Sequence, residues 1–229
     1  MSGLAWLQKT DPPEALPPTA RALREPNGLL AVGGALSPEW LMHAYRHGVF
    51  PWYSADQPIL WWAPDPRAVL LPAEFRISRS LARSRRNRGY VTRIDTAFDA
   101  VVEACAAPRG DGVGTWITDE MRAAYVALHR CGLAHSIEAW HGDRLVGGLY
   151  GVAIGRVFFG ESMFTRERDA GKVALAQLAQ ACLRLDVALI DCQQPSAHLA
   201  SLGSHNLVRS EFEARLAELV DAEPRLWRL

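Results

Sequence analysis

The sequence predicts an α/β protein, a mixed sheet flanked by helices, preceded by a small Pro/Trp-rich α+β domain. Three observations carry that prediction. From residue 135 onward, apolar runs and turn signals read as strand, strand, strand, helix, strand, loop, strand and helix. Within that order, the runs VFFGESMF (157–164) and VALIDCQ (187–193) flank an amphipathic segment that starts near Asp169. Ten of the 14 prolines and five of the eight tryptophans fall before residue 67. That shift divides the chain into a loop-rich unit, 1–66, ending at Pro64-Asp65-Pro66, and a larger domain, 67–229.

In the first unit, Ser37 is a good N-cap, Pro38 suits the first helical position and Glu39 suits the helix dipole. That helix is expected to run through Tyr45 and stop at Gly48. Trp52, Trp61 and Trp62 follow in a proline-punctuated stretch. Such rings are usually core, but loops interrupted by proline pack poorly, so one of the three is expected to be exposed for stacking.

In the second unit, Ser78 starts a short, very basic helix that closes near Gly89, and YVTRI (90–94) is a strand. Residues 96–106 form a helix, and 110–116 a flexible loop leading to Trp116. Thr118 caps a helix with Asp119 and Glu120 in its first turn, ending at Cys131-Gly132. HSIEAW and LVGGLYGVAI make a hairpin about HGDR, and Gly147, Gly148, Gly151 and Gly155 mark bulges or close backbone approach. Residues 170–185 carry a helical stripe of Val173, Leu175, Leu178, Cys182 and Leu185. A long loop, QQPSAHLASLGS, and a short strand, NLVR, precede a helix opened by a Ser210/Glu213 capping box and running to about Val220.

At 229 residues and 49% hydrophobic content, the chain can bury a substantial core. Net charge is zero, so no global field attracts nucleic acid or an anionic membrane. Residues 67–93, however, hold eight Arg against the single acid Glu74, a local +7. Four cysteines with no Cys-x-x-Cys spacing argue against a zinc knuckle or a disulfide scaffold and suit a reducing cytosol. No signal peptide is apparent, and no apolar run is long enough to span a bilayer. A soluble cytoplasmic protein is expected.

The chemistry-bearing residues stand where a strand should be apolar. Glu161 lies between Phe158, Phe159, Met163 and Phe164. Asp191 and Gln193 are two apart, so an extended strand projects them from one face, together with Leu189 and opposite Ile190 and Cys192. Buried carboxylates are costly unless paired or used. They are either satisfied strand ends or parts of a site with aromatic walls. No Gly-x-Ser-x-Gly elbow, Walker loop or metal-spaced histidine pair appears, and no metal is expected. His43 and His47 are one turn apart on a solvated face, and His135 reads as hydrogen-bonded structure.

The element order resembles the GNAT N-acyltransferase arrangement, in which donor and amine meet at splayed central strands. A CoA-dependent version would need Arg/Gln-x-x-Gly-x-Gly/Ala at a helix start, to cradle pyrophosphate. Residues 168–173, RDAGKV, match in part only. Val173 replaces the small residue, and Asp169 places a negative charge where phosphates would bind. CoA is therefore disfavoured.

A more specific resemblance lies in REPNGLLAVGGALSPEWL, GVFPWYS, ILWWAPDPRAVL, GTWIT, AHSIEAW, LVGGLYGVA, FFGESMF, LIDCQ and ASLG. In this order, over most of residues 24–203, they resemble the leucyl/phenylalanyl-tRNA–protein transferases. The resemblance implies a GNAT-like C-terminal acyltransferase domain behind a small N-terminal one. It implies transfer of Leu, Phe or Met from aminoacyl-tRNA to proteins with N-terminal Arg or Lys, creating a destabilising N-terminus for regulated proteolysis. Aminoacyl-tRNA would be a co-substrate, with no cofactor, and the protein a monomer. Asp191 and Gln193 align with the family's catalytic pair, and Glu161 with an acidic residue suited to the cationic acceptor. Leu149, Phe158, Leu175, Leu178 and Ile190 would line the donor side-chain pocket. Trp52 and Trp116 would stand near the terminal adenosine. Arg76, Arg83, Arg85 and Arg86 are either a solvated face or a tRNA contact. A non-catalytic tRNA-binding module is the competing reading, and it would not need Asp191, Gln193 and Glu161 beside one pocket.

Overall fold

Residues 3–108, 117–223 and 227 are described by the structure, a computed structural model. Among them, strands β1 (Ala5–Leu7), β2 (Leu29–Gly33), β3 (Phe50–Pro51) and β4 (Leu60–Trp62) form a small sheet in the order β1-β2-β4-β3. Helix α1 (Pro38–Arg46) packs beside it. The Ser37 side chain accepts from Trp40 N as expected, and Trp40 stacks on Trp61 at 5.8 Å. Trp61 and Trp62 are core, whereas Trp52 is 40% exposed, the one open ring of the three.

The large sheet is built from β5 (Arg67–Leu70), β6 (Val91–Ile94), β7 (Ala134–His141), β8 (Arg144–Ile154), β9 (Val157–Thr165), β10 (Leu189–Gln193) and β11 (His205–Leu207). Their order is β11-β5-β10-β9-β8-β7-β6. All neighbours run antiparallel except β9 and β10, which are parallel and joined by α5 (Ala170–Arg184). This is the expected mixed sheet flanked by helices. One face carries α5, with α2 (Arg79–Asn87) laid against it. The other face carries α3 (Phe98–Ala106), α4 (Asp119–Arg130), α7 (Arg209–Leu219) and α1 in a core that runs on into the small sheet. A short helix, α6 (Ala197–Ser201), follows β10.

The parallel pair is where the sheet opens. Strands β9 and β10 pair only from Leu189↔Val157 to Asp191↔Phe159. Beyond that point β9 continues to Thr165 against β8 alone. A strand held on one edge only leaves a gap on the other.

Local details depart from the sequence reading for identifiable reasons. Helix α3 starts at Phe98, not at 96, because the buried Glu138 carboxylate accepts from Thr96 N and Ala97 N, both at 2.9 Å, and holds them outside the helix. The Ser210/Glu213 capping box does not form. Helix α7 begins at Arg209 with Val208 as N-cap, and Glu213 pairs with the Thr19 hydroxyl. The segment read as a long loop after β10 contains α6, capped by Ser196 accepting from Leu199 N. The loop at 110–116, with Trp116, lies outside the described residues. Ser78 and Thr118 cap α2 and α4 as expected.

Candidate active site

Two bulges aim the polar side chains into the opening. Between β8 and β9 the register passes from Tyr150↔Ser162 to Gly151↔Gly160, so Glu161 is the unpaired extra residue. A bulge re-aims a side chain in this way, and Gly151 permits it because a Cβ there would overlap Phe159 O. Between β10 and β5, Asp191 faces Val69 and Gln193 faces Ala68, leaving Cys192 as the extra residue. Gln193 adopts φ 62°, a left-handed conformation that disfavours residues with a Cβ. Its N–H donates to Asp191 Oδ1 at 2.8 Å, which holds the turn. Asp191 and Gln193 do converge, but through this bulge rather than by the strict strand alternation expected.

Glu161 is a partly buried residue whose carboxylate is walled in by phenols. Tyr45 of α1 donates to Oε1 and Tyr125 of α4 to Oε2, each at 2.6 Å, and Gln193 Nε2 donates to Oε1 at 2.8 Å. The Tyr45 and Tyr125 hydroxyl oxygens are themselves 2.7 Å apart. Burial raises the Glu161 pKa to about 7, against the lowering effect of the Tyr125 and Tyr45 hydrogen bonds. Burial, and then the carboxylate, push both phenols well above their usual range. Tyr150 lies on the same face, fully buried, and its hydroxyl has no hydrogen-bond partner among the described residues.

Asp191 is held differently. Arg67 Nε donates to Oδ1 at 2.8 Å and Nη2 to Oδ2 at 2.6 Å, a bidentate fork with both side chains buried. Arg67 Nη1 donates to Gly48 O at 2.9 Å, and the guanidinium lies between the Phe50 and Phe212 rings, 4.8 and 4.7 Å from their centroids. Arg67, counted in the sequence as part of a basic segment, is therefore an internal counter-ion.

A cavity of about 790 Å³ opens at the splay and reaches both faces. Toward α5 it is apolar, walled by Leu149, Met163, Leu175, Leu178, Ile190 and Leu199. Toward α3 it is lined by Tyr150, Glu161, Ser162 and Cys105. Four of the five predicted donor-pocket residues thus face one space. Phe158 is buried behind it, against Trp227 at 5.2 Å, and is not part of the lining. Trp52 stands apart from the cavity, edge-on to Trp62 at 5.6 Å.

Arg76, Arg83 and Arg86 are exposed without an acidic partner among the described residues, whereas Arg85 donates to Gln180 of α5 at 3.2 Å. At the start of α5, Asp169 accepts from Ser84 Oγ at 2.6 Å and lies near Lys172 and Arg168. Its carboxylate stands where a pyrophosphate would need backbone amides. Among the described residues no cluster of three or more metal-ligating side chains occurs, and no helix is long and apolar enough to cross a membrane. His135 hydrogen-bonds Asp95 at 2.7 Å, in keeping with a structural role.

Sequence reasoning missed Tyr45, Tyr125, Tyr150 and Arg67. The tyrosines fall on apolar stripes such as Met121, Ala124, Tyr125 and Leu128, where they read as core. The available signal was a phenol, which needs a partner, in a stripe that offered none.

A mixed sheet whose parallel pair parts over a cavity, leucine-rich on one side and carrying Glu161 on the other, fits an α/β group-transfer enzyme. Comparison with known proteins narrows the class. The chain belongs to the leucyl/phenylalanyl-tRNA protein transferase family, whose family model matches residues 69–217 and whose N-terminal domain matches residues 34–65. It is 60% identical over 213 residues to the leucyl/phenylalanyl-tRNA–protein transferase of Azoarcus sp. (strain BH72), covering 93% of this chain and 89% of that one. It is 55% identical to that of Pseudomonas putida (strain W619), covering 95% and 96%. Among solved structures, a GCN5-related N-acetyltransferase from Kribbella flavida matches with a TM-score of 0.38 at 12% identity, over 73% of this chain and 60% of that one.

Proposed function

We propose that the protein transfers Leu, Phe or Met from aminoacyl-tRNA to the α-amine of proteins bearing N-terminal Arg or Lys, in the cytoplasm, marking them for N-degron proteolysis. The observation that carries this reading is the two-sided cavity, with Leu149, Leu175, Leu178 and Ile190 on one side and Glu161, to which Gln193 Nε2 donates, on the other. The leucine-rich wall suits the donor side chain. It separates a methylene by only ~1–3 kcal/mol, so Leu, Met and Phe are accepted together. Aminoacyl-tRNA is a co-substrate and supplies an already activated ester, so proximity can provide much of the acceleration and no cofactor is called for.

Gln193 positions the incoming amine or the ester carbonyl, and Asp191 orients Gln193 through its backbone N–H. Trp52 offers an exposed ring to the terminal adenosine, a role that the family resemblance extends to Trp116, and Arg76, Arg83 and Arg86 contact tRNA phosphates. The test is incubation with labelled Leu-tRNA and an Arg-initiated peptide, alongside a Gln-initiated control. Transfer to the first and not the second supports the reading, whereas binding of Leu-tRNA without transfer points to a non-catalytic tRNA-binding module. Gln193→Ala is expected to slow single-turnover transfer at least ~10-fold while leaving Leu-tRNA affinity nearly intact by filter binding. An unchanged rate removes Gln193 from the mechanism.

A further inference from the structure

The contacts around Glu161 impose a proton count. Tyr45 O, Tyr125 O and the two carboxylate oxygens make a ring with three short oxygen–oxygen contacts, of 2.6, 2.6 and 2.7 Å. Each such contact requires one hydrogen. With Glu161 ionised, the two phenols supply two hydrogens, both directed at the carboxylate, and the Tyr45–Tyr125 contact has none. With Glu161 protonated there are three. The carboxyl O–H donates to Tyr125, Tyr125 donates to Tyr45, and Tyr45 donates to the other carboxyl oxygen. Gln193 Nε2 still donates to Oε1 in either state. The geometry is closed only when the ring holds one more proton than the ionised form has.

We infer that Glu161 is the base that takes the proton from the acceptor's α-ammonium, with Tyr45 and Tyr125 as the positioning residues that make its carboxylate ready to receive it. The inference rests on the transferase reading above and adds a proton path to it. The acceptor arrives as an ammonium and passes one proton to Glu161, which closes the ring. The neutral amine's lone pair then forms the C–N bond at the ester carbonyl carbon. As the C–O bond to the ribose breaks, the ribose oxygen leaves as a hydroxyl, taking the second proton from nitrogen. Glu161 returns its proton to water once the product departs.

Asp191, Gln193 and Tyr150 do not compete for the role. Asp191 is forked by Arg67, and together they act on Glu161 as opposed charges. Gln193 has no basic lone pair, and Tyr150 is a phenol whose burial holds its proton. Placement near neutrality, where a general base is most effective, agrees with the ring.

The experiment is the pH dependence of single-turnover Leu transfer to one Arg-initiated peptide at saturation, for wild type, Tyr45→Phe, Tyr125→Phe and Glu161→Gln. Wild-type transfer rises with pH through about 7. Each Phe variant breaks the ring and deletes one of its contacts to the carboxylate, so the rising limb moves, by on the order of one pH unit. The peptide is the same throughout, so ionisation of its own amine cannot produce that movement. Glu161→Gln loses about 100-fold or more. A second measurement needs no turnover: in the full chain labelled at Glu carboxyl carbons, the NMR signal absent from Glu161→Gln titrates near neutrality. Unmoved limbs in both Phe variants, a wild-type rate in Glu161→Gln, or a carboxyl signal titrating below about 5 overturns the base assignment. If wild type transfers nothing to the peptide, it is the transferase reading that fails.

Discussion

Two buried carboxylates stand side by side in this site, and their partners make them different reagents. Asp191 is gripped by the Arg67 fork, whose guanidinium is packed between two rings, and it also accepts from the Gln193 N–H. Glu161 has no cation, only two phenols and a carboxamide. A guanidinium brings a fixed opposite charge, so it stabilises one protonation state. Phenols bring dipoles and exchangeable protons, so they leave both states accessible. The first carboxylate is scaffold and the second is available for chemistry.

The largest expected effect comes from removing the fork. Arg67→Met leaves Asp191 buried without a counter-charge, and breaking a buried pair from one side costs about 3–5 kcal/mol. Urea unfolding is expected to show a loss of that size. Arg67→Lys would recover only part of it, because an ammonium cannot make two parallel bonds to one carboxylate. A loss below about 1 kcal/mol would mean that Asp191 takes up a proton instead, which would erase the contrast with Glu161.

Much of the architecture was legible beforehand, because it follows from short-range rules. The caps at Ser37, Ser78 and Thr118, the β7–β8 hairpin and the β9–α5–β10 succession each depend on residues close in sequence. Glu161, Asp191 and Gln193 were visible as polar intrusions in apolar runs. Their partners were not, because Tyr45 and Glu161 are 116 positions apart, and Arg67 and Asp191 124. Of the two bulges, Gly151 signalled the one between β8 and β9, whereas nothing marked the one at Cys192, since a period-two reading assumes that the strand carries no extra residue. Phe158, a pocket wall by resemblance, turned out to be backing, because Trp227 packs against it.

A smaller effect separates the two carboxylates through pH. Burial raises folded Glu161 to about 7, from the ordinary carboxylate value of 4.5. Below about 4.5 both folded and unfolded chains hold this proton, and Glu161 contributes no pH dependence. Between about 4.5 and 7 the unfolded chain releases it while the folded chain retains it, so stability falls as pH rises. Above 7 the penalty is constant, at up to about 3 kcal/mol, reduced because the residue is partly open to solvent. Glu161→Gln, a neutral mimic of the protonated acid, is expected to match wild type near pH 4.5 and exceed it at pH 8. Urea midpoints for the two proteins that run parallel across that range would place Glu161 with Asp191, as a locked charge.

The smallest effect belongs to the third phenol, and it sharpens what a partner is worth. Tyr150 is as buried as Tyr45 and Tyr125, yet its hydroxyl meets no acceptor or donor among the described residues, while its ring packs edge-on against Tyr125 at 5.3 Å and Phe98 at 5.9 Å. Its shape is therefore used and its oxygen is not. Tyr150→Phe keeps the ring and deletes the oxygen, removing a desolvated group whose unpaired burial costs about 1–3 kcal/mol in a dry site and little in a wet one. The hydroxyl itself is closed to solvent, so the expected change is about 1 kcal/mol of stabilisation, the low end of that range. Tyr125→Phe, by contrast, deletes a donor to a carboxylate and should lose about 1.5–3 kcal/mol where Glu161 is ionised. Thermal or urea unfolding of both variants at pH 8 reads the difference directly. If Tyr150→Phe loses as much as Tyr125→Phe, its hydroxyl is bound to an ordered water on which the folded state depends, and the phenols of this face form one network instead of a ring and a bystander.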